Sequence, residues 1–395
     1  MPPPLPARFA HLPVYAFPRL RALLDGVAPG GAPVAMTIGD PRHGVPDWVG
    51  PMLAEHAAGF GSYPDNDGSD ELLSAISDWI ARRYGVRLPT SRLMVLNGTR
   101  EGLYAASMAL SPEEKGGRRP AILIPNPFYQ AYAVGALGAG AEPVFVPASE
   151  ASGWLPDFGA LPAEVRDRTT LAFVCSPSNP QGAVAPAGYL ADLLALAERH
   201  DFRVLADECY SEIWYDAPPP GLLEVAAAEG ADPERGLAFH SLSKRSSAAG
   251  LRSGFVAGGA QAIGAMRKLR GYAGAPVPGP IQAVSARLWA DEAHVEASRA
   301  LYAAKRDMAA RVLDGVPGAA MPEGGFFLWL PAGGDAEEAA LRLWREAGVK
   351  VLPGHYLARE VAGEAPGRDR LRAALVAPMD ECEDGLRRLR ACLYD

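Results

Sequence analysis

The chain has 395 residues, 49% of them hydrophobic and 21% charged, a balance that excludes a disordered chain. Lys and Arg number 38 against 46 Asp and Glu, giving a net charge of −8. The acidity is spread along the chain, so no basic stripe points to nucleic acid. The length allows roughly two or three domains' worth of core. The lysines are Lys115, Lys244, Lys268, Lys305 and Lys350, which narrows the search for a catalytic amine. Cys175, Cys209, Cys382 and Cys392 form no CxxC and have no histidine at metal-ligand spacing, so neither a disulfide framework nor a structural zinc is expected. The N-terminal MPPPLPARFA has no apolar signal region, and no apolar run approaches the ~20 residues that span a bilayer. A soluble cytoplasmic protein is expected.

In chain order, short apolar runs alternate with helical patterns. Strands are predicted at Leu93–Leu96, Ala121–Ile124, Val144–Val146, Leu171–Cys175, Val204–Ala206, Leu237–Leu242 and Gly254–Ala257. Several are near-continuously apolar, as strands buried on both faces are. Helices are predicted at Asp70–Tyr84, Glu101–Ala109, Tyr189–His200 and Gln261–Gly271. The alternation predicts an α/β fold, a mostly parallel sheet flanked by helices. Such sheets bind ligands beyond the carboxyl ends of their strands. Near residue 280 the pattern changes. One long helix is predicted over Ile281–Leu313, then a strand at Gly325–Leu330, a helix at Glu337–Ala347, strands at Lys350–Leu352 and Leu371–Val376, and a helix at Asp380–Cys392. The expected domains are an N-terminal arm joined to the small domain (1–45), a large domain (46–282) and a small C-terminal α+β domain (283–395).

Three apolar runs end in chemistry-bearing residues. Phe173-Val174-Cys175 leads into Ser176–Gly182, Val204-Leu205-Ala206 into Asp207-Glu208-Cys209-Tyr210, and Phe239–Leu242 into Ser243-Lys244-Arg245. If these strands are parallel neighbours, Asn179, Asp207, Tyr210 and Lys244 converge on one rim. An Asp and a Lys at such a rim form either a structural ion pair or a cofactor site, with the amine bonded to an aldehyde and the carboxylate facing a pyridinium nitrogen. Glu208 points to the opposite face if the strand continues. A phosphate-bearing cofactor needs donors. Arg252 follows eight residues after Lys244, Ser241 precedes it, and Leu93–Glu101 reads as strand, Gly turn and helix start, a geometry that binds phosphate. His43, His240 and His355 have no partner at ligand spacing and are expected to pack or hydrogen-bond.

These segments resemble the pyridoxal-phosphate-dependent aminotransferases of fold type I, class I/II. The resemblance rests on SPSNPQG (176–182), ADECY (206–210), SLSK (241–244) with GLRSG (250–254), NGTREGL (97–103), SYPDNDGSDEL (62–72), NPFYQAY (126–132), PGHYLARE (353–360) and RLRAALVA (370–377), in family order. It implies pyridoxal 5′-phosphate as cofactor, Lys244 as the lysine bonded to it and the general base, and Asp207 as the pyridinium partner. Tyr210 and Asn179 contact the ring oxygen, and Tyr129 stacks on the ring. Thr99, Arg100, Ser241 and Arg252 hold the phosphate. Tyr63 reaches the neighbouring subunit's phosphate, which implies a homodimer with shared sites. Arg372 clamps the substrate α-carboxylate, and the Gly39 backbone lies near the substrate.

Within the family the chain looks most like the succinyldiaminopimelate aminotransferases of lysine biosynthesis, which implies N-succinyl-LL-2,6-diaminopimelate as donor and 2-oxoglutarate as acceptor. Ser247-Ala248-Ala249 replaces the usual Asn-Val-Pro there, and Leu73 replaces an Arg. Arg100, Arg245 and Arg42 are candidates for the succinyl carboxylate, Arg245 being equally readable as a structural ion pair. The rival functions are an aminotransferase for aspartate, alanine or aromatic amino acids, and a C–S β-lyase. A regulator on the same fold usually carries a DNA-binding domain in front, for which motifs beginning by residue 38 leave no room.

Overall fold

The computed structural model describes residues 6–10, 12, 14–363 and 365–395. Its centre is a seven-stranded sheet built from β2 (Leu93–Leu96), β3 (Ala121–Asn126), β4 (Glu142–Pro147), β5 (Thr169–Cys175), β6 (Arg203–Asp207), β7 (Gly236–Ser241) and β8 (Gly254–Gly258), following a short β1 (Val34–Ala35). The strand order is β2-β8-β7-β6-β5-β3-β4. Every strand but β8 runs the same way. The predicted mostly parallel α/β sheet is therefore present, with one antiparallel strand inserted.

Because alternate residues face opposite sides of a strand, the fully buried runs serve two cores. Leu171, Phe173, Leu205, Leu237 and Phe239 pack with Leu103 and Ala106 of the Thr99–Leu110 helix and with Tyr132 and Ala133 of the Gln130–Gly138 helix. Ala172, Val174, Val204 and Ala206 pack with the Ala187–Arg199 helix on the other face. Asp207 continues the first set, so it emerges on the Tyr132 side. Glu208 turns to the other side, where its carboxylate accepts from Tyr84 Oη at 3.2 Å and the Leu222 amide at 2.7 Å and lies 3.1 Å from His240 Nε2.

A smaller α+β unit contains β9 (Phe327–Pro331), β10 (Val349–Lys350), β11 (Leu352–Pro353) and β12 (Arg370–Ala374). β11, β12 and β9 form an antiparallel sheet, while β10 pairs in parallel with β1. The segment after β1 runs along this unit, through Met36 N to Lys350 O and Ala374 N to Met36 O, which brings Ile38–Asp40 to the rim of the large sheet.

Two expectations need correction. The stretch predicted as one helix over Ile281–Leu313 is two, Gly279–Ala290 and Ala293–Val312. Asp291 is extended and its Oδ1 accepts from Ala293 N at 2.9 Å. A short polar side chain thus captures a backbone donor and restarts the helix. The strand predicted at Lys350–Leu352 is split at Val351, so that β10 and β11 join different sheets.

Candidate active site

A cavity of about 340 Å³ opens where the carboxyl ends of the parallel strands meet the small unit and the arm. Gly39, Thr99, Arg100, Tyr129, Asn179, Asp207, Tyr210, Ser241, Lys244, Arg252 and Arg372 all border it. The structure thus brings together every residue singled out for the cofactor and the α-carboxylate except Tyr63. That side chain is fully exposed and borders no part of this cavity.

The floor is anionic. Asp207 is 6% exposed. Its Oδ2 accepts from Tyr132 Oη at 2.7 Å and its Oδ1 from Cys209 N at 3.3 Å. Among the described residues no lysine, arginine or histidine lies within ion-pair distance of it. Burial pushes its carboxyl up, and the hydrogen bonds pull it back. Lys244, on the one-turn helix after β7, donates to the Gly39 carbonyl. Burial lowers its ammonium to about 8. Gly39 is required there because a Cβ would run into the ring of Phe327. Tyr210 is packed edge-on against Phe326 and Phe327 at 5.4 and 5.9 Å. Burial drives its phenol well above the ordinary value, so it stays a donor.

At one end lies a phosphate-sized cup. Gly98 has φ +81°, and a Cβ on it would collide with the Arg252 guanidinium. That guanidinium therefore lies close against Gly98, just before the Thr99–Leu110 helix, donating to the carbonyls of Ala249 at 3.0 Å and Asn97 at 3.5 Å. The first N–H groups of a helix have no intrahelical acceptor and carry the positive end of its dipole. Ser241 Oγ bonds Ser243 Oγ at 2.9 Å, and Thr99 Oγ1 lies 3.1 Å from Cys209 Sγ.

At the other end Arg372, on β12, is 4% exposed. Its Nη1 donates to Asn179 Oδ1 at 2.9 Å and its Nη2 to Thr37 O at 2.7 Å, while Nε has no partner. It lies 4.2 Å over the Phe327 ring, and burial lowers it to about 10. Arg100 stands at the mouth, its Nε 2.5 Å from Tyr129 Oη.

The model for "Aminotransferase class I and II" matches residues 33–389. The chain belongs to the class I and II aminotransferases. It is 33% identical to an LL-diaminopimelate aminotransferase of Desulforudis audaxviator over 395 residues, 98% of this chain and 97% of that one. An aminotransferase structure from Neisseria meningitidis superposes with a TM-score of 0.94 at 34% identity, covering 99% of this chain and 100% of that one. The aminotransferase AspB structure from Helicobacter pylori gives 0.90 at 31%, covering 98% and 100%.

As an aminotransferase of this family the chain depends on pyridoxal 5′-phosphate, and the cavity fits that group. The cradle at Gly98 and Arg252 suits a phosphate dianion. A buried carboxylate without a cation suits a cationic ring nitrogen. The orphaned Arg372 Nε and its neighbouring N–H groups suit a carboxylate.

Two of the predicted tail cations lie elsewhere. Arg245 is 2% exposed and points away from the cavity, donating to Leu288 O at 2.6 Å and Glu292 Oε1 at 2.7 Å against Trp289. Its neighbour Lys244 takes the cavity side of the turn, so Arg245 takes the core side. Arg42 pairs with Glu381 at 2.7 Å, outside the cavity. Sequence reasoning missed Tyr132 and Ser243, although both stand inside the quoted motifs, and the arm residues Tyr15 and Phe17, which also border the cavity. Near the motifs, His43 bonds Lys305 at 2.8 Å and His355 lies 3.4 Å from Glu337, ordinary hydrogen-bonding roles. No helix among the described residues is long and apolar enough to cross a membrane.

Proposed function

We propose that the chain transfers the α-amino group of N-succinyl-LL-2,6-diaminopimelate to 2-oxoglutarate, as a step of lysine biosynthesis. The observation that carries the substrate class is the charge of the cavity. Arg100, Lys244, Arg252 and Arg372 border it, against two carboxylates, Asp207 on the floor and Asp40 on the rim. With Arg252 given to phosphate and Arg372 to the α-carboxylate, Arg100 is the cation left at the mouth for a second carboxylate. A free distal ammonium would be repelled there, whereas a succinylated one is a neutral amide ending in a carboxylate.

When bound, pyridoxal 5′-phosphate supplies an aldehyde that carries the amino group and a cationic ring that withdraws electrons from Cα. In this proposal Asp207 faces the ring nitrogen, Tyr210 and Asn179 hold the ring oxygen, and Tyr129 covers one face. Thr99, Arg100, Ser241 and Arg252 surround the phosphate, with the Arg100 contribution coming from its backbone so that its side chain stays at the mouth. Arg372 and the Gly39 backbone orient the amino acid, so that the Cα proton lies over Lys244. Lys244 takes that proton as a neutral amine, which its burial favours. Residues 46–282 form the cofactor-binding domain, with 1–45 and 283–395 closing the cavity. Tyr63, with exposed Phe60 and Tyr272, is the contact with a second copy that completes the partner's site.

A second substrate is LL-diaminopimelate itself, favoured by the likeness to the 33%-identical LL-diaminopimelate aminotransferase. A panel of amino donors decides between them, each added in turn to the purified enzyme with loss of the bound-cofactor absorbance followed. The succinylated donor is expected to react fastest. Faster reaction with free LL-diaminopimelate refutes the succinyl proposal, and pyruvate and ammonia released without an oxo acid would instead mark a β-lyase.

A further inference from the structure

We propose that Tyr132 is the positioning residue of the cofactor site, its hydroxyl holding Asp207 as an anion aimed at the ring nitrogen of bound pyridoxal 5′-phosphate. This rests on the proposed pairing of Asp207 with that nitrogen and adds how the carboxylate stays charged in a site that disfavours charge.

Tyr132 lies in the first turn of the Gln130–Gly138 helix and is 1% exposed. Its ring is stacked on Phe173 at 4.4 Å and 12°, and Tyr129 meets it edge-on at 5.6 Å and 86°. Those two contacts fix the ring, and so fix the hydroxyl 2.7 Å from Asp207 Oδ2. Cys209 also donates to Asp207, through its amide at the longer distance of 3.3 Å and through its thiol, a weaker donor than a hydroxyl. The groups facing the carboxylate from neighbouring elements are weaker donors than the Tyr132 hydroxyl. Cys175 on β5 and Cys209 in the following turn are thiols that burial keeps neutral, and His240 on β7 is committed to Glu208 on the far side of the sheet. Tyr132 itself is held protonated by burial, so it acts only as a donor. A carboxylate oxygen has two lone-pair directions. With one taken by Tyr132, the other remains for a ring N–H. Without the hydroxyl, burial favours a protonated Asp207, which no longer stabilises a protonated ring.

The test compares two ligands on the full-length apoprotein: pyridoxal 5′-phosphate, and its 1-deaza analogue, in which C–H replaces the ring nitrogen. Dissociation constants are read by equilibrium dialysis. The wild type should prefer the natural cofactor. Tyr132→Phe keeps the stacked ring and loses only the hydroxyl. It should weaken binding of the natural cofactor about tenfold and leave the analogue unchanged. A wild-type preference that persists intact in Tyr132→Phe overturns the role of Tyr132. No preference in the wild type overturns the placement of Asp207 itself, and this proposal with it. If Tyr132→Phe does not fold, Phe173→Leu loosens the stack while keeping the hydroxyl. The preference should then fall in the same direction, and a preference equal to that of the wild type overturns the proposal.

Discussion

The Arg100→Gln substitution tests the substrate assignment most directly. Arg100 is exposed at the cavity mouth and bonds Tyr129 Oη at 2.5 Å. No carboxylate lies within ion-pair distance of it among the described residues, whereas Arg19, Arg83, Arg235 and Arg270 are each paired. A hydrogen bond to a charged group is worth about 1.5–3 kcal/mol when well sheltered, and screening at an open mouth reduces that to about 0.5–1 kcal/mol. At 1.4 kcal/mol per decade, kcat/KM for the succinylated donor should fall about two- to fivefold. Alanine has no distal carboxylate, so its kcat/KM should change little. The ratio matters because Gln also releases Tyr129, and that disturbance touches both donors alike. The assay is steady-state kinetics of both donors with saturating oxo acid, at low and at high salt. Salt should erode the wild-type preference and leave that of the variant flat. Equal losses for the two donors would refute the assignment of Arg100 to a distal carboxylate.

Lys244→Ala should abolish transamination, and borohydride reduction of the wild type followed by peptide mapping should place the cofactor on residue 244. In the apoprotein, burial lowers Lys244 to about 8. Below that pH the amine is protonated and inert, and above it the amine is free, so acylation by acetic anhydride should rise through a midpoint near pH 8. A midpoint above 10 would remove the burial argument. Ser247 has φ 51°, a left-handed conformation in the segment that follows the Lys244 helix, where Gly or Asn is favoured. Ser247→Gly should therefore stabilise the protein by about 1 kcal/mol, visible as a higher denaturant midpoint with an unchanged slope. A lower midpoint would mean the serine side chain is needed.

The large sheet was legible because strands buried on both faces leave long apolar runs, and because Gly and polar clusters interrupt them. From that, Asp207 and Lys244 follow as neighbours: β6 and β7 are adjacent and parallel, so whatever follows their last residues shares a rim. What stayed hidden is what depends on side-chain direction rather than position. Lys244 and Arg245 are consecutive cations, yet one borders the cavity and the other is buried against Trp289. The four-residue helix that carries both, Leu242–Arg245, sets that choice, and no periodicity is readable over four residues. The break at Asp291 carries no Gly or Pro, only an aspartate that bonds two residues ahead. Tyr132 looks like one more apolar-face aromatic until its hydroxyl is seen on Asp207. Tyr63 is fully exposed, and nothing in its own surroundings would mark it.

The buried charges of the cavity explain why its chemistry waits for ligands. Glu208, one residue from Asp207 and just as buried, has three donors or cations around it within 3.2 Å and is complete within the chain. Asp207, Lys244 and Arg372 are not. Burial pushes each toward its neutral form, the carboxyl upward and the two bases downward. Among the described residues the hydrogen-bond partners of Asp207 and Arg372 are neutral: Tyr132 and Cys209 for one, Asn179 and a backbone carbonyl for the other. An opposite charge would reverse both shifts, a ring cation on Asp207 and an α-carboxylate on Arg372. At Lys244 burial outweighs the opposing pull of Cys209 and Asp40, so the amine is readily neutral, as the proposed base must be. Sheltered, fixed groups of this kind need little reorganisation when charge develops beside them. The same burial that disfavours these ions thus favours ligands that would restore the charge of Asp207 and Arg372, and it leaves the Lys244 amine readily neutral.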